Sequence, residues 1–179
     1  MSRMRRLPGD PSQERQIARM IRVDHAGEYG AKRIYEGQLA VLGRSRAATE
    51  ISRMAGQEAR HLAAFETLVR ERRVRPTALS PLWHAAGFAL GAATAMLGER
   101  AAMACTVAVE EVIDEHYARQ IEALGDAEPA LKAALEEFRA NELEHRDTAL
   151  AAGGGDAPAP LTAAIKAGSR LAIWLSTRL

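Results

Sequence analysis

Clusters of glycine and proline divide this chain into long uninterrupted segments, and this division constrains its fold more than any other feature. Prolines and a glycine at residues 8–11 precede Ser12, a residue type that commonly caps the first turn of a helix. Further breakers lie at residues 43–45, 125–129 and 153–160. The segments between them have helical periodicity. We predict helices over residues 13–42, 46–73, 99–124, 128–151 and 161–177.

The predicted helices form two hairpins, residues 13–73 and 99–151, joined by an uncharged stretch, Leu82–Gly98. One long crossover between two hairpins is typical of the ferritin-like four-helix bundle. No window alternates with period two, and aromatic residues make up only 4% of the chain, which disfavours a β-sandwich. We therefore predict an all-α, ferritin-like domain over residues 13–179, with a hydrophobic crossover helix, a C-terminal helix and an N-terminal arm of residues 1–12.

Charge and cysteine content exclude several classes of protein. The net charge of +1 argues against a dedicated nucleic-acid binder. Cys105 is the sole cysteine, so the chain has no internal disulfide framework and no thiolate metal site, and a reducing, cytosolic-side location fits. Arg3, Arg5 and Arg6 precede no apolar run, so we do not interpret the N-terminus as a secretory signal.

Two pairs of glutamate and histidine carry the strongest chemical signal in the sequence. Glu58 precedes His61 by three residues, and Glu142 precedes His145 by three. Residues three apart lie on one face of a helix, so each pair can bind one metal ion from a single helix.

Each pair also has a lone glutamate at the matching height of its hairpin. Glu28 and Glu58 are equidistant from the first predicted turn, and Glu110 and Glu142 are equidistant from the second. An antiparallel hairpin brings such residues level with each other. The separations are similar, 30 and 32 residues, which indicates a duplicated half-site.

These spacings predict a metal centre for two hard or borderline cations bridged by glutamates. The donor set matches that of the di-iron and di-manganese carboxylate proteins. The alternative is that these are ordinary surface glutamates. The predicted ligands are Glu28, Glu58, His61, Glu110, Glu142 and His145.

Other residues near the predicted centre leave more than one interpretation open. Tyr117, seven residues after Glu110, and its neighbour His116 are candidates to contact the ligands or to take part in electron transfer, although core packing would also explain Tyr117. Asp24 and Asp114 are candidates to hold a ligand histidine by a hydrogen bond, or are exposed carboxylates. We expect His25 off the ligand face, His84 at an interface and Cys105 in the core.

The sequence around these residues resembles the demethoxyubiquinone hydroxylase family of ubiquinone biosynthesis. The resemblance covers the chain from about residue 17 to its end, and all six ligands of the family are present. The segments that carry it are Arg22–Ala31, Gly87–Gly91, Ala104–Glu111, Glu142–His145 and Ala172–Ser176 followed by Arg178 and Leu179. The chain begins almost directly at its first predicted helix, as expected of a bacterial member without a mitochondrial leader.

The resemblance implies a monooxygenase that uses two iron ions and O₂ to hydroxylate a polyprenylated methoxy-methyl-benzoquinol. Its reductant would be NADH or the quinol itself. The chain contains no Gly-x-Gly-x-x-Gly motif, so a nicotinamide would bind without a Rossmann site. The alternatives are a ferritin-like ferroxidase or iron-storage protein, which the apolar crossover disfavours, a di-manganese catalase, or a hydroxylase of another substrate.

We expect the crossover segment, about residues 79–98, to lie at a membrane interface, because Leu82–Gly98 is short for a membrane span. The basic cluster Arg70–Arg75 would meet anionic headgroups, and Trp83 suits an interface. A buried helix of the bundle is the alternative. We therefore expect a peripheral protein on the cytoplasmic face of the inner membrane. The family resemblance implies either a homo-oligomer or an assembly with other ubiquinone-biosynthesis enzymes.

Overall fold

The computed structural model describes residues 11–179, and over them the protein is an all-α helical bundle. The predicted N-terminal arm, residues 1–12, lies outside this range except for its last two residues. The helices are α1 (Gln13–Leu42), α2 (Ala48–Glu71), α3 (Ser80–Met96), α4 (Glu99–Leu124), α5 (Pro129–Ala151) and α6 (Ala159–Ser176), with a short 3₁₀ turn at Gly154–Asp156. Each predicted helix is therefore confirmed, with boundaries within about two residues of the prediction.

Local chemistry explains where these helices begin and end. The Ser12 hydroxyl accepts a hydrogen bond of 3.3 Å from the Arg15 backbone N–H, as its position before α1 predicts. Gly98 and Gly125 bound α4 with φ angles of +108° and +54°, values that favour glycine because it has no Cβ. Gly125 lies in a turn that the sequence predicts, and Gly98 separates α3 from α4.

The four long helices α1, α2, α4 and α5 form two antiparallel hairpins with apolar side chains at both ends of the bundle. One cluster joins the start of α1, the end of α2, the end of α4 and the start of α5, and includes Phe65 and Leu135. The other cluster joins the opposite ends of the same helices and includes Ile51 and Met103. The middle of the bundle, between these two layers, holds the charged residues described below.

The crossover helix α3 lies outside the four-helix bundle and packs along α1. Gly91 and Gly37 bring the two backbones together, because a Cβ on either would collide with a carbonyl of the other helix, of Ile34 and Phe88 respectively. The remaining face of α3 is largely exposed, including Leu82. Between residues 11 and 179, no helix is both long and apolar enough to cross a bilayer. The interfacial role of residues 79–98 stays a prediction.

Candidate metal centre

The structure brings all six predicted ligand residues together in the middle of the bundle. Each is at most 3% exposed to solvent. The Nδ1 atom of His61 lies 3.3 Å from Glu28 Oε2 and 3.2 Å from Glu142 Oε1. The Nδ1 atom of His145 lies 3.2 Å from Glu58 Oε1 and 3.3 Å from Glu142 Oε2. One nitrogen of each histidine therefore faces two carboxylates, at least one of them from another helix.

These side chains form two overlapping groups, and within each group the potential ligand atoms lie within 4.8 Å of one another. One group consists of Glu28, Glu58, His61 and Glu142, and the other of Glu58, Glu110, Glu142 and His145. Glu58 and Glu142 belong to both. If each group held one cation, Glu58 and Glu142 would be shared between the two, and Glu28 and Glu110 would each belong to one.

The residues present fit a metal pair, because the atoms facing the centre have no other hydrogen-bond partner in the described part of the chain. Burying charged oxygens without partners is costly, and cations would compensate that cost. Carboxylate oxygens and imidazole nitrogens also suit iron and manganese. The unpartnered atoms are Glu28 Oε2, both carboxylate oxygens of Glu58 and Glu142, Glu110 Oε2, and Nδ1 of His61 and His145.

The electrostatics show how strongly these groups perturb one another without a metal. Burial raises the pKa of Glu58 and Glu142 well above the usual range, and neighbouring carboxylates raise it further. Burial opposes protonation of His145, but the carboxylates of Glu110, Glu142 and Glu58 outweigh it and raise the pKa of His145 to about 12. Burial would also raise the pKa of Glu110, yet His145 brings it below the usual value. The metal-free site therefore holds protons that a metal would displace.

Two tyrosines bind the lone glutamates in a reciprocal arrangement. The Tyr117 hydroxyl donates to Glu28 Oε1, and the Tyr35 hydroxyl donates to Glu110 Oε1 at 2.6 Å. The predicted contact of Tyr117 with a ligand residue is thus observed, whereas Tyr35 was not predicted. The sequence does contain a pattern that predicts the role of Tyr35, because Tyr35 follows Glu28 by seven residues just as Tyr117 follows Glu110. Each tyrosine binds the lone glutamate of the other hairpin.

The duplication extends to a glutamine ten residues after each lone glutamate. Gln120 Nε2 donates to Asp24 Oδ1 at 2.8 Å, and Gln38 Nε2 lies 3.4 Å from the hydroxyl of Thr106. Asp24 and Thr106 occupy equivalent positions, four residues before Glu28 and Glu110. The two halves therefore differ here, with a buried carboxylate in one and a neutral hydroxyl in the other.

Asp24, His116 and Asp114 have hydrogen-bond partners other than a ligand residue, while electron transfer through His116 stays a prediction. Asp24 does not hold a ligand histidine, because its Oδ1 lies 3.0 Å from His116 Nε2. His116 accordingly contacts Asp24 and Gln120, not a ligand residue. Asp114 accepts a hydrogen bond of 2.6 Å from Arg139 Nε and does not belong to either ligand group. Spacing along one helix could not reveal the contacts of Asp24 with His116 and of Asp114 with Arg139, since each joins two helices.

The remaining predictions for single residues concern the surroundings of the centre. His25 is partly buried, and burial lowers its pKa. It does not belong to either ligand group. His84 is exposed on α3, where its Nδ1 lies 2.5 Å from the Tyr29 hydroxyl. Cys105 is buried in the core, as predicted, and burial raises the pKa of its thiol to about 12.

An apolar cavity of about 420 Å³ lies between α1, α3, α4 and α6. Its lining includes Gly27, Gly30 and Val109. Gly27 and Val109 directly precede Glu28 and Glu110 in the chain, so the cavity adjoins the two helices that carry the lone glutamates. A Cβ added at Gly27 or Gly30 would meet no other atom within 4 Å, which shows how open this space is.

Comparison with known proteins agrees with these features over nearly the whole chain. The family described as "Ubiquinone biosynthesis protein COQ7" matches residues 15–176. A 3-demethoxyubiquinol 3-hydroxylase of Rhodospirillum rubrum is 60% identical over 97% of this chain and 84% of its own length. The mitochondrial NADPH-dependent 3-demethoxyubiquinone 3-hydroxylase of Homo sapiens is 53% identical over 91% of this chain and 78% of its own. The mitochondrial 5-demethoxyubiquinone hydroxylase of Saccharomyces cerevisiae is 40% identical over 91% and 78%, respectively. The predicted family resemblance is confirmed.

Proposed function

We propose that this chain, which belongs to the ubiquinone biosynthesis protein COQ7 family, hydroxylates a polyprenylated demethoxyubiquinol with O₂ at a di-iron centre. The observation that carries the proposal is the pair of overlapping ligand groups that share Glu58 and Glu142. Burying six ligand residues from four helices without a metal would cost much of the free energy of folding, because their charges would lack compensation. Bound there, two iron ions would supply the redox chemistry with O₂ that ring hydroxylation requires.

The protein's own side chains keep the centre ordered and dry. Burial raises the pKa of Tyr35 and Tyr117 well above the usual range, and nearby carboxylates add to this shift. Both hydroxyls therefore stay protonated at neutral pH and hold a proton at an oxygen of Glu110 and of Glu28. The two apolar layers, one at each end of the bundle, keep bulk water from the polar middle.

The apolar cavity supports the proposal that the substrate is hydrophobic. Its volume of about 420 Å³ falls within the range of small-molecule sites. The lining is almost entirely apolar, which suits a methylated quinol ring and the first units of an isoprenoid tail. Small residues such as Gly27 and Gly30 leave the space in which such a ring can lie beside the ligand helices.

Exposed apolar side chains on α3 and α6 support contact with lipid. The start of α3 and the end of α6 are held together by a hydrogen bond of 3.0 Å from Trp83 Nε1 to Ser176 Oγ and by one of 3.2 Å from Ala78 N to Leu179 O. A polyprenyl substrate resides in the bilayer, so a peripheral position on the cytoplasmic face of the inner membrane would bring the cavity to it. Large exposed apolar side chains on or directly after these two helices are Leu82, Met96, Leu97, Leu171 and Trp174.

Isotope incorporation tests the reaction directly. Iron-loaded protein given a short-tailed demethoxyubiquinol, a reductant and ¹⁸O₂ should place one ¹⁸O atom on the ring, detected by mass spectrometry. Gly27→Leu should fill part of the cavity and lower kcat/KM at unchanged iron content. Gly56→Leu, at an exposed position of α2 with open space around it, is the matched control and should keep wild-type activity.

The same experiment separates the hydroxylase from the alternative of a ferroxidase or iron-storage protein. The names of the relatives support the hydroxylase and not this alternative. Product without ¹⁸O, or formation of an iron mineral with no quinol turnover, would contradict the proposed function.

Vesicle binding tests the membrane part of the proposal. Replacing Leu171 and Trp174 by serine should weaken cosedimentation with anionic lipid vesicles, because both side chains are about half exposed on the α6 surface. Leu150→Ser removes a comparably exposed side chain from α5 and is the control. Equal binding by all variants would refute the assignment of this surface to lipid.

The proposal also includes a nicotinamide reductant, homo-oligomerisation and association with other ubiquinone-biosynthesis enzymes. The names of several mitochondrial relatives specify NADPH dependence. Since residues 11–179 form no strands, a nicotinamide would bind here without a Rossmann sheet. Comparing NADH with NADPH in the turnover assay, and measuring the mass of the protein in solution, tests the first two parts.

A further inference from the structure

The two histidines of the centre differ in what lies behind them. The outer nitrogen of His145, Nε2, lies 3.0 Å from the side-chain oxygen of Gln57. Gln57 is only 8% exposed and directly precedes Glu58 on α2. The ring of His61 instead stacks on Phe138, with 4.2 Å between centroids. Among residues 11–179, no hydrogen-bond partner is found for the outer nitrogen of His61.

The hydrogen-bond network determines which nitrogen of His145 carries the proton. Arg53 Nη1, which can only donate, lies 2.7 Å from the same Gln57 atom, so that atom is the acceptor oxygen. His145 Nε2 must then donate a proton to this oxygen, so Nδ1 is the nitrogen that would lose its proton when a metal binds. The amide nitrogen of Gln57 donates to Asn141 Oδ1 at 2.9 Å, which agrees with this orientation.

Asn141 explains why His61 lacks a contact like that between His145 and Gln57. It directly precedes Glu142 as Gln57 precedes Glu58, so the duplication would place it behind His61. Its side chain is one methylene shorter than that of glutamine. It donates to the Glu137 carbonyl and accepts from Gln57, and it thereby supports the amide behind His145.

We propose that Gln57 is a positioning residue that orients His145 and makes the two metal positions unequal, so that the position with His145 binds first and more tightly. The inference rests on the metal centre proposed above. The other donors are matched, since both positions share Glu58 and Glu142, and each lone glutamate accepts from a tyrosine. Asp24 and Thr106 also differ between the halves, but neither forms a hydrogen bond with a ligand residue, so the contact behind the histidine is the difference that touches a ligand directly. Loss of such a contact typically weakens metal affinity about 10- to 100-fold.

Titration of the full-length apoprotein with Co²⁺, followed by absorbance and calorimetry, tests this inference without an activity assay. The wild type should bind two ions in two resolvable steps. Gln57→Leu should weaken the tighter step about 10- to 100-fold and bring the two steps together. Gln57→Glu keeps an acceptor for His145 Nε2 and should retain two steps. Gln38→Leu removes a buried amide that contacts no ligand residue and is the matched control.

The outcomes distinguish this inference from the proposed function. A wild type that binds no Co²⁺ overturns the metal centre itself. Two ions bound with equal affinity, or a folded Gln57→Leu protein with wild-type steps, overturns the role of Gln57. Equal weakening by Gln57→Leu and Gln38→Leu also overturns it, because that effect would come from loss of packing. Circular dichroism of each apoprotein establishes folding, and Gln57→Glu provides the test if Gln57→Leu does not fold.

Discussion

Replacing a shared glutamate should cost the protein more metal stabilisation than replacing an unshared one. Glu142 belongs to both ligand groups, whereas Glu110 belongs to one. Glu142→Gln should therefore abolish the increase in melting temperature that metal produces. Glu110→Gln should abolish at least half of it, because the position that contains Glu110 and His145 is the tighter one, and should retain the share of the other position. The isosteric amide keeps the size of each side chain, so the difference reports coordination and not packing.

The size of the effect follows from mass action. An ion present at about 100 times its Kd stabilises the folded state by about 2.7 kcal/mol. Two ions contribute about 5.4 kcal/mol, which raises Tm by roughly 11–22 °C in a chain of this length, at about 2–4 °C per kcal/mol. Glu110→Gln should retain at most about 5–11 °C of this increase. Thermal melts followed by circular dichroism, with and without Co²⁺, measure these shifts.

Without metal, we expect Glu142→Gln to have the opposite effect on the melting temperature. The pKa of Glu142 is raised by burial and by neighbouring carboxylates, so an ionisable group at this position destabilises the folded apoprotein near neutral pH. Metal-free Glu142→Gln should therefore melt at or above the wild-type temperature. Glu136→Gln, at an exposed position of the same helix, is the control and should leave both melts unchanged. Equal metal shifts for the Glu142 and Glu110 variants would refute the bridging arrangement.

Three further predictions follow from the contacts described above. Raising the pH from about 5 to 8 should lower the Tm of the apoprotein, because folded Glu58 and Glu142 retain protons that the unfolded chain has lost, and should increase the metal-induced shift. Tyr35→Phe should cost about 1.5–3 kcal/mol in urea unfolding, because an oxygen of its glutamate partner loses its donor. Gly91→Ala should cost about 1–3 kcal/mol through its clash with α1, whereas Gly56→Ala should stabilise by about 0.5–1 kcal/mol.

The helices and the convergence of the six charged residues could be predicted from the sequence because both depend on local rules. Clusters of breakers end helices, and two residues equidistant from a tight turn are level in any antiparallel hairpin. The midpoint of Glu28 and Glu58 lies at Gly43, which ends α1 in the structure. Two residues three positions apart on one helix share a face whatever the tertiary structure, so spacing alone could predict each Glu-x-x-His pair.

The side chains around the six charged residues are brought there by packing between helices, and their contacts were predicted less completely. Asp24 and Asp114 have the right spacing to hold a ligand histidine, yet each binds a side chain of a different helix. Tyr35 was missed, although the spacing that indicated Tyr117 repeats in α1. A search for the duplicated pattern of glutamate, tyrosine and glutamine would have found it.

By itself the sequence determined the all-α fold, the bounds of its helices, the six residues that meet at the centre and the family. Only the tertiary structure decided that each tyrosine binds the glutamate of the opposite hairpin, that Gln57 supports one histidine while Phe138 covers the other, and that a cavity lies beside the ligand helices. The reason is physical. Spacing along a helix specifies height and face, whereas the rotation and separation of neighbouring helices depend on how their side chains pack, as at the glycine contacts between α1 and α3.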